Sequence, residues 1–146
     1  MNTTNALHDL MLTFVDTAGT VERRFDRALS AIRGVSFSEY RLLLRLSQAP
    51  SATASRVELA RAVGLTPSAV TRALRPLEKT GYVTTEKSAR DARQSLAKLT
   101  ASGDSLLADA RALLDDMLAA SAWRRLGPKG QATLQQHLVD LQQNRT

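Results

Sequence analysis

Residues 55–81 constrain this chain more than any other stretch, because helix starts and stops follow one another there at short intervals. Ser55-Arg56-Val57-Glu58 matches a capping box, in which the serine hydroxyl and the glutamate carboxylate each take an otherwise unpaired backbone N–H. It opens a helix of about two turns carrying Leu59, Ala60 and Val63. Gly64-Leu65 supplies a tight turn, and Thr66-Pro67 is a second start: a hydroxyl cap, then a proline that loses no needed hydrogen bond at the first helical position. The second helix, about 66–79, carries Val70, Leu74 and Leu77 on one face. Two short helices joined by a glycine-containing turn describe a helix-turn-helix.

The other face of the second helix adds chemistry. Ser68, Thr71, Arg72, Arg75 and Lys79 recur at steps of three and four opposite the apolar stripe. Arginine can reach guanine O6 and N7 with two hydrogen bonds, and small hydroxyl residues let a helix approach the floor of the major groove. Taken alone, the same residues would also serve as an ordinary solvated face. Pro76 cannot donate to the Arg72 carbonyl, so a kink is expected there without an end to the helix, because Leu77 continues the stripe and Gly81 is the better C-terminal signal.

After Gly81 the pattern turns extended. Tyr82-Val83-Thr84-Thr85 can pair with Leu96-Ala97-Lys98-Leu99 as a hairpin, a wing at about 82–99, whose tip carries Lys87, Arg90 and Arg93. A basic loop beside a recognition helix suits phosphates or a narrow minor groove, whose negative potential attracts arginine. A charged surface loop is the plainer alternative.

The flanks read as helix. Leu7, Leu10, Met11, Phe14, Ala18, Val21, Phe25, Ala28, Leu29 and Ile32 form one long stripe. Leu106, Leu107, Ala110, Leu113, Leu114, Met117 and Leu118 form a second, and Leu134, His137, Leu138 and Leu141 a third after Gly127-Pro128. Ser38 is expected to cap a shorter helix through Tyr40, Leu43, Leu44 and Leu46, followed by a loop at 51–54. The terminal stripes offer more apolar surface than one small domain readily covers, which points to packing across a dimer; burial within one chain is the other solution.

Charge and composition narrow the partner. The net charge is +6 over 146 residues, and residues 51–100 carry nine Lys/Arg against four Asp/Glu, a net of +5. Concentration in the middle third is what a nucleic-acid-binding module between neutral flanks would show. The chain has no cysteine, which removes disulfides, thiolate metal sites and cysteine nucleophiles. Its two histidines, His8 and His137, are 129 positions apart and do not suggest a metal site. No apolar run is long enough to span a membrane and no secretory leader is evident, so a cytoplasmic protein is expected. No phosphate loop, triad or carboxylate pair suggests an enzyme, and no cofactor is expected.

Three stretches resemble the bacterial multiple-antibiotic-resistance regulator (MarR) family of winged helix-turn-helix proteins. Val63-Gly64-Leu65-Thr66-Pro67-Ser68-Ala69-Val70-Thr71-Arg72 is similar to the family's turn and recognition helix. Leu77-Glu78-Lys79-Thr80-Gly81-Tyr82-Val83 is similar to its exit into the wing. Asp91-Ala92-Arg93, followed by Leu96, Leu99-Thr100 and Gly103, is similar to its wing signature. The resemblance implies a mainly α fold with a small β-hairpin wing. Residues 1–34 would be an N-terminal dimerisation helix, 35–100 the DNA-binding lobe and 101–146 the C-terminal dimerisation helices. It also implies a homodimer on double-stranded DNA at a pseudo-palindromic operator.

On this resemblance, Thr66, Ser68, Thr71, Arg72 and Arg75 fall on the DNA-facing side of the recognition helix, joined by Lys87, Arg90 and Arg93 on the wing. Arg93 falls on the family's minor-groove arginine and Asp91 on the acidic residue that braces the wing. Ala97 stands where the family usually has a β-branched residue, and Gly130 where a helix-favouring one is more typical. Family members are commonly repressors released by small anionic phenolic ligands. Phe14, Tyr40 and Arg41 are the candidate ligand contacts, with Arg41 as carboxylate partner; the plainer reading makes them packing and solvated residues. The function classes left are a sequence-specific regulator, a weakly specific architectural DNA binder and a winged helix used for protein contacts.

Overall fold

The computed structural model describes residues 3–143, which divide into two units, the first ending at Ala110 and the second beginning at Arg111. In the first, α1 (Thr3–Arg33) is followed by α2 (Phe37–Gln48), a short 3-10 turn at Pro50–Ala52, β1 (Thr53–Ser55), α3 (Arg56–Val63) and α4 (Pro67–Lys79). The strands β2 (Val83–Lys87) and β3 (Ser95–Leu99) precede α5 (Ala101–Ala119), whose second half belongs to the second unit. That unit continues through a 3-10 turn at Ala122–Leu126 into α6 (Gly127–Gln143). Among the described residues, no helix is long and apolar enough to cross a membrane.

The helix starts are local hydrogen-bond devices. At α3 the capping box is complete: Ser55 N–H donates to Glu58 Oε2 at 2.7 Å and Glu58 N–H donates to Ser55 Oγ at 3.2 Å. At α2 the cap differs from the expected Ser38. Ser36 is the cap, with Glu39 completing a second box at 2.9 and 3.0 Å, and Ser38 lies inside the helix. The reason is spacing: Ser36 has a glutamate three residues on, whereas Ser38 has Arg41 there. The Asp26 carboxylate of α1 also accepts from the Phe37 N–H at 2.8 Å, tying the long helix to the start of α2.

The sheet is antiparallel, in the order β1-β3-β2, with Ala54 opposite Ala97 and Thr85 opposite Ala97 on the other side. Thr53 and Ala54, expected in a loop, form a third strand with Ser55, the expected cap, by pairing with a partner far along the chain, Thr53 opposite Lys98. The wing strands run slightly beyond the expected turn: Lys87, expected in the tip, is the last residue of β2 and pairs with Ser95. Ala97 is fully buried in the central strand.

The core of the first unit joins Leu29 of α1, Leu42, Leu43 and Leu46 of α2, Leu59 of α3, Val70, Leu74 and Leu77 of α4, and Val83 of β2, all essentially inaccessible. Burying a Leu or Val side chain contributes about 1.5–3 kcal/mol, so this cluster sets the position of α4 from behind. After α5 begins, Gly103 passes so close to the Tyr82 carbonyl oxygen and the Leu99 side chain that a Cβ would overlap both. A side chain at 103 would push α5 away from the base of the wing.

Candidate nucleic-acid interface

Helix α4 is fixed at both ends. The Thr66 hydroxyl accepts from the Ala69 N–H at 3.2 Å, and Pro67 occupies the first turn. At the far end Tyr82 N–H donates to the Leu77 carbonyl at 2.9 Å and Gly81 N–H to the Glu78 carbonyl at 3.1 Å. This is a Schellman ending, with Gly81 at φ 81°, a left-handed conformation costly for side chains with a Cβ. The helix continues through Pro76 to Lys79 as one element.

Between those ends the two faces separate cleanly. Val70, Leu74 and Leu77 are buried, whereas Ser68, Arg72, Arg75 and Lys79 are exposed and Thr71 is half-buried. The Thr71 hydroxyl donates to the Pro67 carbonyl at 3.0 Å, so its proton is committed and it can offer a partner only lone pairs or its methyl group. Thr66 uses its oxygen as acceptor for the cap and keeps a proton to donate outward.

The wing tip is organised around two side chains. Ser88 N–H donates to the Gln94 carbonyl at 3.0 Å, while Ser88 Oγ accepts from the N–H groups of Arg90 and Asp91 at 3.2 and 3.4 Å. Asp91 Oδ1 accepts from the Arg93 N–H at 3.0 Å, and the Asp91 carbonyl accepts from Gln94 N–H at 2.9 Å. The Asp91 carboxylate therefore engages the backbone of Arg93 and leaves the guanidinium outside. Lys87, Arg90, Asp91 and Arg93 are all exposed.

Among the described residues the ion pairs are Arg33 with Asp109, Arg56 with Glu78 and Lys98 with Glu86. Arg72, Arg75, Lys79, Lys87, Arg90 and Arg93 belong to none of these. Their charge is left for an outside anion, and a row of unneutralised cations on one helix face and one loop tip is what phosphate contacts require.

The three candidate ligand residues differ in their surroundings. Tyr40 is buried with its ring stacked on Phe37 at 6.0 Å, Phe37 in turn meets Phe25 edge-on at 5.5 Å, and Arg41 is half-buried. Phe14 is exposed and joins no aromatic pair among the described residues. A crevice between α1 and the start of α2 is lined by Gly19, Glu22, Arg23, Asp26, Arg27, Phe37 and Ser38, and none of the three candidates lines it.

One group of contacts at the interface had no sequence signal. Arg56, at the start of α3, pairs with Glu78 near the end of α4 at 3.3 Å, and the Thr85 hydroxyl of β2 donates to the same Glu78 oxygen. These residues are 22 and 7 positions apart in sequence and meet only through the tertiary fold.

Comparison with known proteins agrees with this geometry. The MarR family model matches residues 35–95, from within the α1–α2 connection to the start of β3. A search of curated proteins found no match. Among solved structures, Sco3205 of Streptomyces coelicolor, a MarR family transcriptional regulator in complex with DNA, superposes with a TM-score of 0.82 at 28% identity, covering 92% of this chain and 84% of that one. AbsC, a MarR family transcriptional regulator from the same organism, gives 0.82 at 18% identity, over 93% and 91%. A mutant MarR from E. coli complexed with operator DNA gives 0.80 at 22% identity, over 97% and 99%. Residues 35–95 thus form a MarR-family domain, set in a chain with the winged-helix fold of the MarR-family transcriptional regulators.

Proposed function

We propose that this protein is a homodimeric, sequence-specific DNA-binding transcriptional regulator that acts as a repressor. The observation that carries the reading is the split of α4: one face is sealed into the core, while the other presents Ser68, Thr71, Arg72 and Arg75 with no carboxylate paired to either arginine among the described residues. Arg72 and Arg75 read base edges or phosphates in the major groove, and Thr66 and Ser68 at the helix start approach the backbone. Lys87, Arg90 and Arg93 follow the adjacent minor groove, with Asp91 bracing the loop that carries Arg93.

A second copy supplies the second half-site. Support comes from α1, where Leu7, Leu10, Met11 and Phe14 stand exposed on one stripe, an arrangement that water disfavours and a like surface would cover. Two recognition helices must then sit about 34 Å apart to enter successive major grooves. In this reading a small anionic aromatic effector relieves repression by changing that separation. The crevice by Phe37 offers the Arg23 and Arg27 guanidinium groups to such a ligand, offset by the Glu22 and Asp26 carboxylates that also line it, and Tyr40 stacks on Phe37. A regulator of this kind works in the bacterial cytoplasm.

The test is selection of bound sequences from a random duplex pool at near-physiological salt, with the mass of the protein in solution measured on the same sample. An inverted repeat with half-sites about one helical turn apart, bound by a dimer, is the expected result. Binding that fades steeply with salt and enriches no motif would overturn the sequence-reading role in favour of an architectural one.

A further inference from the structure

We infer that Arg56 and Glu78 act as a clamp that sets the angle of the wing against the recognition helix, so that helix and wing reach their two grooves together; the inference rests on the DNA-binding reading above. The clamp touches four elements. Arg56 stands at the first position of α3, and its Nη2 lies 3.3 Å from Glu78 Oε1 on the last turn of α4. Its Nη1 approaches the Ser95 carbonyl of β3 at 3.5 Å, and Thr85 of β2 donates its hydroxyl to the same Glu78 oxygen. A single carboxylate oxygen therefore receives a guanidinium from the first helix of the motif and a hydroxyl from the wing.

The position of the pair explains why it governs orientation more than stability. The two side chains are 23% and 30% exposed, so water screens part of their attraction. The hydrophobic core holds the elements together without them, through Leu59, Leu74, Leu77 and Val83. Along β2, however, only Val83 is buried and Thr84 to Lys87 are exposed, the core reaching this part of the hairpin through Ala97 of β3. Beyond its buried root at Val83, β2 is paired along its length with β3, which β1 holds from the far side, and on the α4 side the side-chain hydrogen bond that ties it down is the one from Thr85 to Glu78. Thr85 sits two residues past that root, directly opposite Ala97, where a small change in angle is amplified at Arg90 and Arg93. A charge-assisted hydrogen bond is directional, which suits it to fixing an angle.

Glu78 and Arg56 are positioning residues in this account and need not touch DNA. The test uses the full-length protein and a duplex selected from the random pool by the wild-type chain, probed by two chemistries. Dimethyl sulfate reads guanine N7 in the major groove, and hydroxyl radical reads the sugar edge of the minor groove. With Glu78→Gln, and separately with Arg56→Met, we expect guanine protection to persist while the flanking minor-groove protection is lost, and overall affinity to fall by about tenfold. In an Arg93→Ala background Glu78→Gln should then cost less than about twofold, because the wing contact it positions is already gone. Circular dichroism melts run beside the footprints separate this from failure to fold, and the two variants remove opposite partners, so one misfolded protein does not decide the matter. Equal loss of protection in both grooves, unchanged footprints, or additive losses with Arg93→Ala would overturn the clamp and leave the DNA-binding reading standing. Failure of the wild-type chain to select any motif would overturn the sequence-reading role itself, and the clamp with it.

Discussion

Helices α1 and α4 are both amphipathic, yet they face opposite problems. In α4 the apolar face is covered by the chain's own core and the polar face is left open. In the first half of α1 the reverse holds: Leu10 is 64% and Phe14 50% exposed, and burial by the chain's own core begins in earnest only at Leu29. An uncovered face tells what it is for by its chemistry. Cations and hydroxyls cost little to leave in water and gain most from an anion, whereas exposed leucines and phenylalanines lose free energy until a similar surface meets them. The two helices thus call for different partners: a change on α4 should leave dimerisation unaffected, whereas a change on α1 should reach DNA only by removing the second half-site contact.

The largest effect should come from α1. Leu10→Glu combined with Phe14→Glu places carboxylates where apolar contact is expected, at an effective cost of several kcal/mol per ion if the surface is buried in a dimer. Analytical ultracentrifugation should find monomer, while the thermal unfolding of that monomer stays close to that of the dissociated wild-type chain. A dimer that persists would break the comparison by showing that the stripe has another purpose.

Next comes the buried side of α4. Leu74→Ala removes a side chain with no exposed surface and should lower stability by about 2–5 kcal/mol, read from urea unfolding. The same truncation at Leu10 should change the stability of the monomer little. On the open side, Arg72→Ala should cost about 1–3 kcal/mol at sites that carry its preferred base and relax preference there. Arg93→Ala should weaken all sites alike and reduce the salt slope by about 1. Equal, sequence-blind losses from both arginines would show that α4 holds phosphates only.

What could be read from the sequence was what depends on neighbours. The Ser55-Glu58 box, the Thr66-Pro67 start and the Gly81 ending each involve residues three to five apart, so their hydrogen bonds are written in local spacing. Ser36-Phe37-Ser38-Glu39 carried the same capping signature, and Ser38 was the wrong choice only because its own third neighbour is Arg41. The strand β1 had no such mark. Thr53-Ala54-Ser55 is too short to alternate and becomes a strand because β3, more than 40 positions later, offers its open edge. The site divides in the same way: the basic face of α4 follows from periodicity and the basic wing tip from the charges between two strand-like runs, but the Arg56–Glu78–Thr85 contact depends on how three elements meet.

The smallest predicted effect tests whether the recognition lobe can be loosened without disturbing α1. Glu58 is held below its ordinary value of 4.5, first by the Ser55 backbone N–H it accepts and then by the Ser55 hydroxyl; burial opposes them, and the nearby Arg61 charge adds a smaller lowering. A depressed folded-state pKa means that the fold prefers the ionised carboxylate, so its contribution is fully present above the unfolded value and lost as pH falls through the folded one. Glu58→Gln keeps a side chain able to complete the capping box but removes the charge. The melting-temperature gap between wild type and Glu58→Gln should therefore be constant near neutrality and close below about pH 4.5. Ser55→Ala, which removes the cap itself, should cost about 1 kcal/mol at neutral pH. Because Ser55 ends β1 and starts α3, either change should be felt in DNA affinity, while the monomer–dimer balance set by α1 stays where it was. A shift of that balance with Ser55→Ala would show that the two regions are coupled, and that an event at one helix can be felt at the other.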